Sequence, residues 1–106
     1  MSKTILIFLL SVFLIFSCSK KGTEKVKSEP TAEEMVVIVY TEAVEALKKG
    51  DAFYAGKKFK EAENLMPQSE WAAKASLMAS YADYSRNAYS NSIFGLERHI
   101  NNYPAD

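Results

Sequence analysis

Cys18 is the single cysteine of this sequence and His99 its single histidine. One thiol cannot close an intramolecular disulfide, and one thiol with one imidazole cannot supply the ligands of a tetrahedral zinc site, so no metal centre and no cofactor are expected. His99 could act as a general base toward a hydroxyl such as Ser92, oriented by a carboxylate such as Glu97. No nucleophile-elbow or oxyanion-hole pattern accompanies it, and at helical spacing it shares a stripe with Ser92, Leu96 and Tyr103, which gives the ring a packing role. The carboxylate pairs Glu33/Glu34, Glu42/Glu45 and Glu61/Glu63 read as solvated helix faces rather than acid/base dyads. Gly50 and Gly56 make no phosphate-binding loop. The chain is therefore expected not to be an enzyme. Its 106 residues carry 13 Lys+Arg against 13 Asp+Glu. With no basic excess to neutralise phosphates, nucleic acid is not an expected partner.

The chemistry left to Cys18 is acylation. It follows an apolar run, residues 5–16 (ILIFLLSVFLIF), which begins just after Lys3. That run is short of the about 20 apolar residues a membrane span requires and suits the core of a signal peptide, with an uncleaved anchor as the alternative. Ile15-Phe16-Ser17-Cys18 resembles the bacterial lipobox, with an aliphatic residue three before the Cys and a small residue directly before it. The resemblance implies cleavage between Ser17 and Cys18 and attachment of acyl chains such as palmitate to Cys18; without it, Cys18 reads as an inert thiol. Ser19 is not the Asp that retains many such lipoproteins at the inner membrane, which implies a lipid-anchored chain on the periplasmic face of a bacterial outer membrane. Residues 19–30 (SKKGTEKVKSEP) hold one aliphatic side chain, Val26, and read as a flexible tether.

From Thr31 onward the punctuation is helical. Thr31 with Glu34 has capping-box spacing, and Gly50 suits a left-handed helix end. Asp51 can cap a second helix with Ala55, Phe59, Ala62 and Leu65/Met66 at spacings of three and four, stopped by Pro67. Ser69 can cap a third through Trp71, Ala75, Met78, Ala79 and Ala82, reaching Arg86. After Asn87 a fourth carries Tyr89, Ile93, Leu96 and Ile100 toward Pro104. Pro67 and Pro104 stand 37 residues apart, and the same offset pairs Gly50 with Asn87, Ala55 with Ser92 and Phe59 with Leu96. Two helix–turn–helix units in succession are predicted.

Residues 50–67 (GDAFYAGKKFKEAENLMP) resemble the second half of a tetratricopeptide repeat. Tyr40-Thr41-Glu42-Ala43, residues 67–72 and residues 77–84 resemble the opening repeats of the BamD family of outer-membrane assembly lipoproteins. The expected organisation is a lipoprotein signal peptide at 1–17, lipidated Cys18 with a flexible tether at 18–30, and tetratricopeptide-like repeats at 31–67 and 68–106. Its fold class is all-α, with two antiparallel hairpins forming the start of an α-solenoid. Because repeat arrays normally need three or more units, Asp106 reads as a premature end or as the edge of a face that another molecule covers. The resemblance implies a non-catalytic, lipid-anchored scaffold within the machinery that recognises unfolded outer-membrane β-barrel precursors and helps insert them, binding precursor or partner peptides in a helical-repeat groove. The implied partners are barrel-assembly complex subunits such as BamA and unfolded outer-membrane protein precursors. A tetratricopeptide lipoprotein scaffold acting on peptidoglycan enzymes is the alternative.

In stacked repeats the first helix of each pair lines a concave face. Superposing that pattern places Val37, Tyr40, Val44, Leu47 and Lys48 there from the first unit, and Lys74, Leu77, Tyr81 and Tyr84 from the second. Tyrosines offer broad contact with a polar tip, suited to peptide capture, and the alternative is that they pack the hairpin. Lys48, Lys49, Lys57, Lys58 and Lys60 gather around one turn. They could face anionic lipid or an acidic partner, although helix termination and solubility explain them without one.

Overall fold

The computed structural model describes Lys3 and residues 28–105, so the signal-peptide, Ser17 and Cys18 readings lie outside the described residues. Four helices follow one another: α1 (Ala32–Lys48), α2 (Ala52–Leu65), α3 (Glu70–Ser85) and α4 (Tyr89–Asn102), with no strand among the described residues. None of the described helices is long and apolar enough to cross a membrane. The all-α fold of two successive hairpins expected from the sequence is the fold observed.

Local chemistry explains each boundary. The Glu34 N–H donates to Thr31 Oγ1 at 3.2 Å and the Thr31 N–H donates to Glu34 Oε2 at 2.9 Å, a closed capping box. The Tyr54 N–H donates to Asp51 Oδ1 at 3.0 Å and the Ala72 N–H to Ser69 Oγ at 3.1 Å, starting α2 and α3. Only α4 starts without a side-chain cap, behind Ala88. At the end of α1, Gly50 takes φ +86°, the Gly50 N–H reaches Leu47 O at 3.0 Å and the Asp51 N–H reaches Ala46 O at 2.9 Å. The end of α3 repeats this bond for bond: Asn87 has φ 64°, its N–H reaches Tyr84 O at 3.0 Å, and the Ala88 N–H reaches Asp83 O at 2.9 Å. Both are Schellman ends, which spend otherwise orphaned carbonyls on a left-handed residue. The offset of Gly50 to Asn87 thus marks structurally equivalent turns. Gln68, with φ 62°, makes the turn between hairpins without a glycine.

Each helix packs on the next in sequence, with a smaller contact between α1 and α3. The core is small-residue packing around one large ring. Phe59 is fully buried among Ala43, Ala46, Ala55, Ala79 and Ala82, with Tyr40, Val44, Leu47 and Met78 leaning on the cluster. A second cluster joins Val36, Val39, Ala62 and Ala75, flanked by Met35, Leu65, Met66 and Trp71. Tyr40 sits edge-on to both Phe59 and Trp71, with ring centroids 5.2 and 5.3 Å away. Such pairs add roughly 0.5–1.5 kcal/mol to area burial, so the tyrosine ties the two clusters together.

The apolar stripe predicted along α4 lies outward: Tyr89, Ile93, Leu96 and Ile100 are all exposed. Small residues set the α3–α4 contact instead. Ser92 is buried and donates from Oγ to Ser80 O at 2.8 Å, and a Cβ on Gly95 would overlap the Ser80 hydroxyl. Replacing Phe59 by Ala removes the one large side chain at the centre. The expected cost is about 3–5 kcal/mol, comparable with the about 3–5 kcal/mol that a core of this size supplies. Phe59→Ala is therefore expected to lose most of its helical far-ultraviolet circular dichroism at 25 °C relative to the unsubstituted chain.

Candidate functional site

The residues expected to line a groove fall on two helices, α1 and α3, and the register of α1 places its share of them. Val36, Val39, Ala43 and Ala46 are buried. Val37, Tyr40, Val44 and Leu47 each follow one of these by a single position, about 100° round the helix, and so border the core rather than fill it. Val37 and Lys48 are exposed, whereas Tyr40, Val44 and Leu47 are half-buried against the Phe59 cluster. On α3, Lys74, Leu77, Tyr81 and Tyr84 are all exposed, opposite the buried Ala75, Ala79, Ala82 and Asp83.

The two units therefore contribute differently. From α1 comes a wall whose aromatic ring is committed to the core, and from α3 a free aromatic ladder. Tyr81 stacks on Tyr84 at 6.5 Å between centroids, and Tyr84 meets Tyr89 of α4 at 5.7 Å. Three phenol rings thus run along the surface, although the sequence pattern singled out only the first two. Both lysines of this set are partnered: Lys48 bonds Glu45 at 3.1 Å, and Lys74 bonds Glu70 at 3.0 Å with its ammonium 5.4 Å from the Trp71 ring centre. Exposed helix pairs of this kind contribute little to stability.

On the opposite side lies an ionic joint that the sequence reading missed. Glu63, expected on a solvated face, is buried on α2. Arg98 of α4 grips it through both oxygens, each nitrogen–oxygen distance being 2.8 Å, and the Tyr103 hydroxyl donates to Oε1 at 3.0 Å. The signal was present, because Glu63 is four residues after Phe59 and eight after Ala55, on the buried face of α2. Burial is the largest single influence on the Glu63 carboxyl and pushes its pKa up. The bonds from Arg98 and Tyr103, with the charges of Arg98 and His99, outweigh it and hold the group below the ordinary value of 4.5. Burial, followed by the bond to Glu63, raises the Tyr103 phenol.

His99 is half-buried beside this joint, its ring 5.5 Å from that of Tyr103 and its Nδ1 buried without a hydrogen-bond partner. The hydroxyl of Ser92 is spent on the Ser80 carbonyl and Glu97 is exposed, so the three groups do not form a relay. Among the described residues no three His, Cys, Asp or Glu side chains group as metal ligands. On the first hairpin, Lys58 bridges Glu61 at 2.9 Å and Glu42 at 3.5 Å, while the Tyr54 hydroxyl donates to Glu42. That hydroxyl is the main reason the Glu42 carboxyl titrates below its ordinary value.

Glu63 carries a stability that depends on pH. A carboxylate depressed in the folded state contributes stability that is present above its unfolded value and lost as pH falls through its folded one. Between about pH 5 and pH 3 the melting midpoint of the unsubstituted chain is expected to fall more steeply than that of Glu63→Gln. Arg98→Ala, which strands a buried charge, should cost about 2–3 kcal/mol in urea titrations, against about 1 kcal/mol for Glu63→Gln, whose amide can still accept from Arg98.

The family model of YfiO, described as an outer membrane lipoprotein, matches residues 32–106. The outer membrane protein assembly factor BamD of Caulobacter vibrioides (strain ATCC 19089 / CIP 103742 / CB 15) is 30% identical over 96 residues, covering 88% of this chain and 32% of that protein. The chain spans about a third of the length of this curated relative. No solved structure matches it significantly.

Proposed function

Since the chain belongs to the YfiO family of outer membrane lipoproteins, we propose that it works as a lipid-anchored, non-catalytic scaffold in the assembly of outer-membrane β-barrel proteins. The single observation that carries this reading is the family match over residues 32–106, a span that takes in all four helices. In this reading residues 1–17 direct export, Cys18 carries the acyl chains, and residues 18–30 tether the repeats to the bilayer. At roughly 5–6 Å × √n, a flexible tether of that length has a typical reach of about 20 Å, which keeps the helices close to the membrane surface.

The repeats, residues 31–67 and 68–106, bind without a covalent step. The α3 ladder of Tyr81 and Tyr84 offers flat apolar rings with hydroxyls at low entropy cost, suited to a precursor segment that must be held briefly and then released. Val37 and Leu77 add apolar walls, and Lys48 and Lys74 add cations at its edges. Segments of unfolded outer-membrane precursors, or of a barrel subunit such as BamA, are the proposed occupants.

The full chain, extracted in detergent from its native membrane, is expected to bring down barrel-assembly subunits. Recovery of peptidoglycan enzymes in their place would move the assignment to a cell-wall scaffold. Cys18→Ser should abolish incorporation of labelled palmitate and release the chain from the membrane fraction. Tyr81→Ala combined with Tyr84→Ala, both at exposed positions, should weaken crosslinking to a β-barrel precursor by about tenfold with helicity unchanged, as for paired aromatic anchors. Unaltered crosslinking would remove the groove from the proposal and leave the family assignment standing.

A further inference from the structure

The outer side of the molecule holds a cleft of about 280 Å³ between α2 and α4. Its floor is α3, where Ala79, Ser80 and Asp83 are all more than nine-tenths buried. Gly95 keeps it open, because a side chain there would lie on the Ser80 hydroxyl. Lys60 stands on one wall, and Asn91, Phe94 and Arg98 stand on the other.

The charges in this cleft do not cancel. Arg98 is matched by Glu63 and Asp83 by Arg86, whose Nη2 lies 3.0 Å from Oδ1. Lys60 forms no ion pair among the described residues, so one positive charge is left over beside a partly enclosed surface. Beside it, Phe94 is 70% exposed, more than any other large apolar side chain described. A second cleft of about 260 Å³ continues past Phe94 and Arg98 to Glu97, Asn101 and Asn102. From Asn91 to Asn102 the helix rises about 17 Å, room for about five residues of extended chain. The amides of Asn91, Asn101 and Asn102 can donate to and accept from a peptide backbone along that path.

We propose that this track along α4 is a docking site for an extended partner segment that places an Asp or Glu side chain beside Lys60 and an apolar side chain on Phe94. It lies on the other side of α3 from Tyr81 and Tyr84, so both surfaces can be occupied at once. The two clefts share Phe94 and Arg98 and succeed one another along α4, a narrow path that suits an extended segment. Opposite charge at Lys60 and like charge at Glu97 fix the direction in which an acidic segment lies.

The test is fluorescence anisotropy on the detergent-extracted full chain with fluorescein-labelled Gly-Glu-Leu-Ser-Leu-Gly as the probe. Lys60→Glu is expected to weaken its binding by about tenfold or more through charge reversal, and Phe94→Ser by about fivefold through loss of apolar contact. Tyr81→Ala should leave it unchanged. Both cleft substitutions are at exposed positions, and thermal melts matching the unsubstituted chain will show that the fold is kept. Equal binding of the peptide with Lys in place of Glu, indifference to Lys60→Glu, or full displacement by millimolar free glutamate would overturn the proposal, the last by marking a small-anion site.

Discussion

The phenyl ring of Phe59 is enclosed by alanine methyls from α1, α2 and α3, and the spacing of these three helices follows from that one arrangement. Alanine lets helix axes approach closely and costs no side-chain entropy on burial. A core built this way is thin, because few of its members bring much area. The single large ring therefore carries a disproportionate share of the apolar stabilisation, and Tyr40 extends it by bridging to Trp71. The neighbouring half-buried residues of α1 gain their positions from the same centre, since each borders the buried stripe by one residue.

The fourth helix is held by different physics. Its contact with α3 is made by Ser92, Gly95 and the Ser80 backbone, and its link to α2 by the Glu63–Arg98–Tyr103 joint. Apolar contacts are tolerant of small rotations, whereas a two-pronged guanidinium–carboxylate pair is directional. Together these polar contacts fix the rotation of α4 about its axis. That rotation turns Ile93, Phe94 and Ile100 outward. The apolar stripe of α4 is thus displayed because polar bonds win the inner face.

The same rotation gives the molecule two unlike sides. On one side of α3, tyrosines form an exposed ladder that α4 prolongs through Tyr89. On the other, the absence of a side chain at Gly95 opens a polar cleft over buried Ser80 and Asp83. The described helices thus present two differently shaped surfaces, one aromatic and one polar.

Much of this was legible in the sequence. Capping residues and left-handed turn residues act locally, so Thr31, Asp51 and Ser69 marked where α1, α2 and α3 begin, and Gly50 and Asn87 where α1 and α3 end. Spacings of three and four likewise placed Ala55, Phe59, Ala62, Ala75 and Ala82 on buried faces. Tertiary structure decided what depends on partners distant in the chain. Glu63 resembles its solvated neighbour Glu61 until Arg98, 35 residues away, neutralises it. Tyr40 resembles Tyr81 and Tyr84 as an amphipathic aromatic, and only the positions of Phe59 and Trp71 commit it to the core. On α4 the apolar period is real, but which face turns inward was settled by hydrogen bonds and a close backbone approach, because these act over a few ångströms and depend on where α2 and α3 stand.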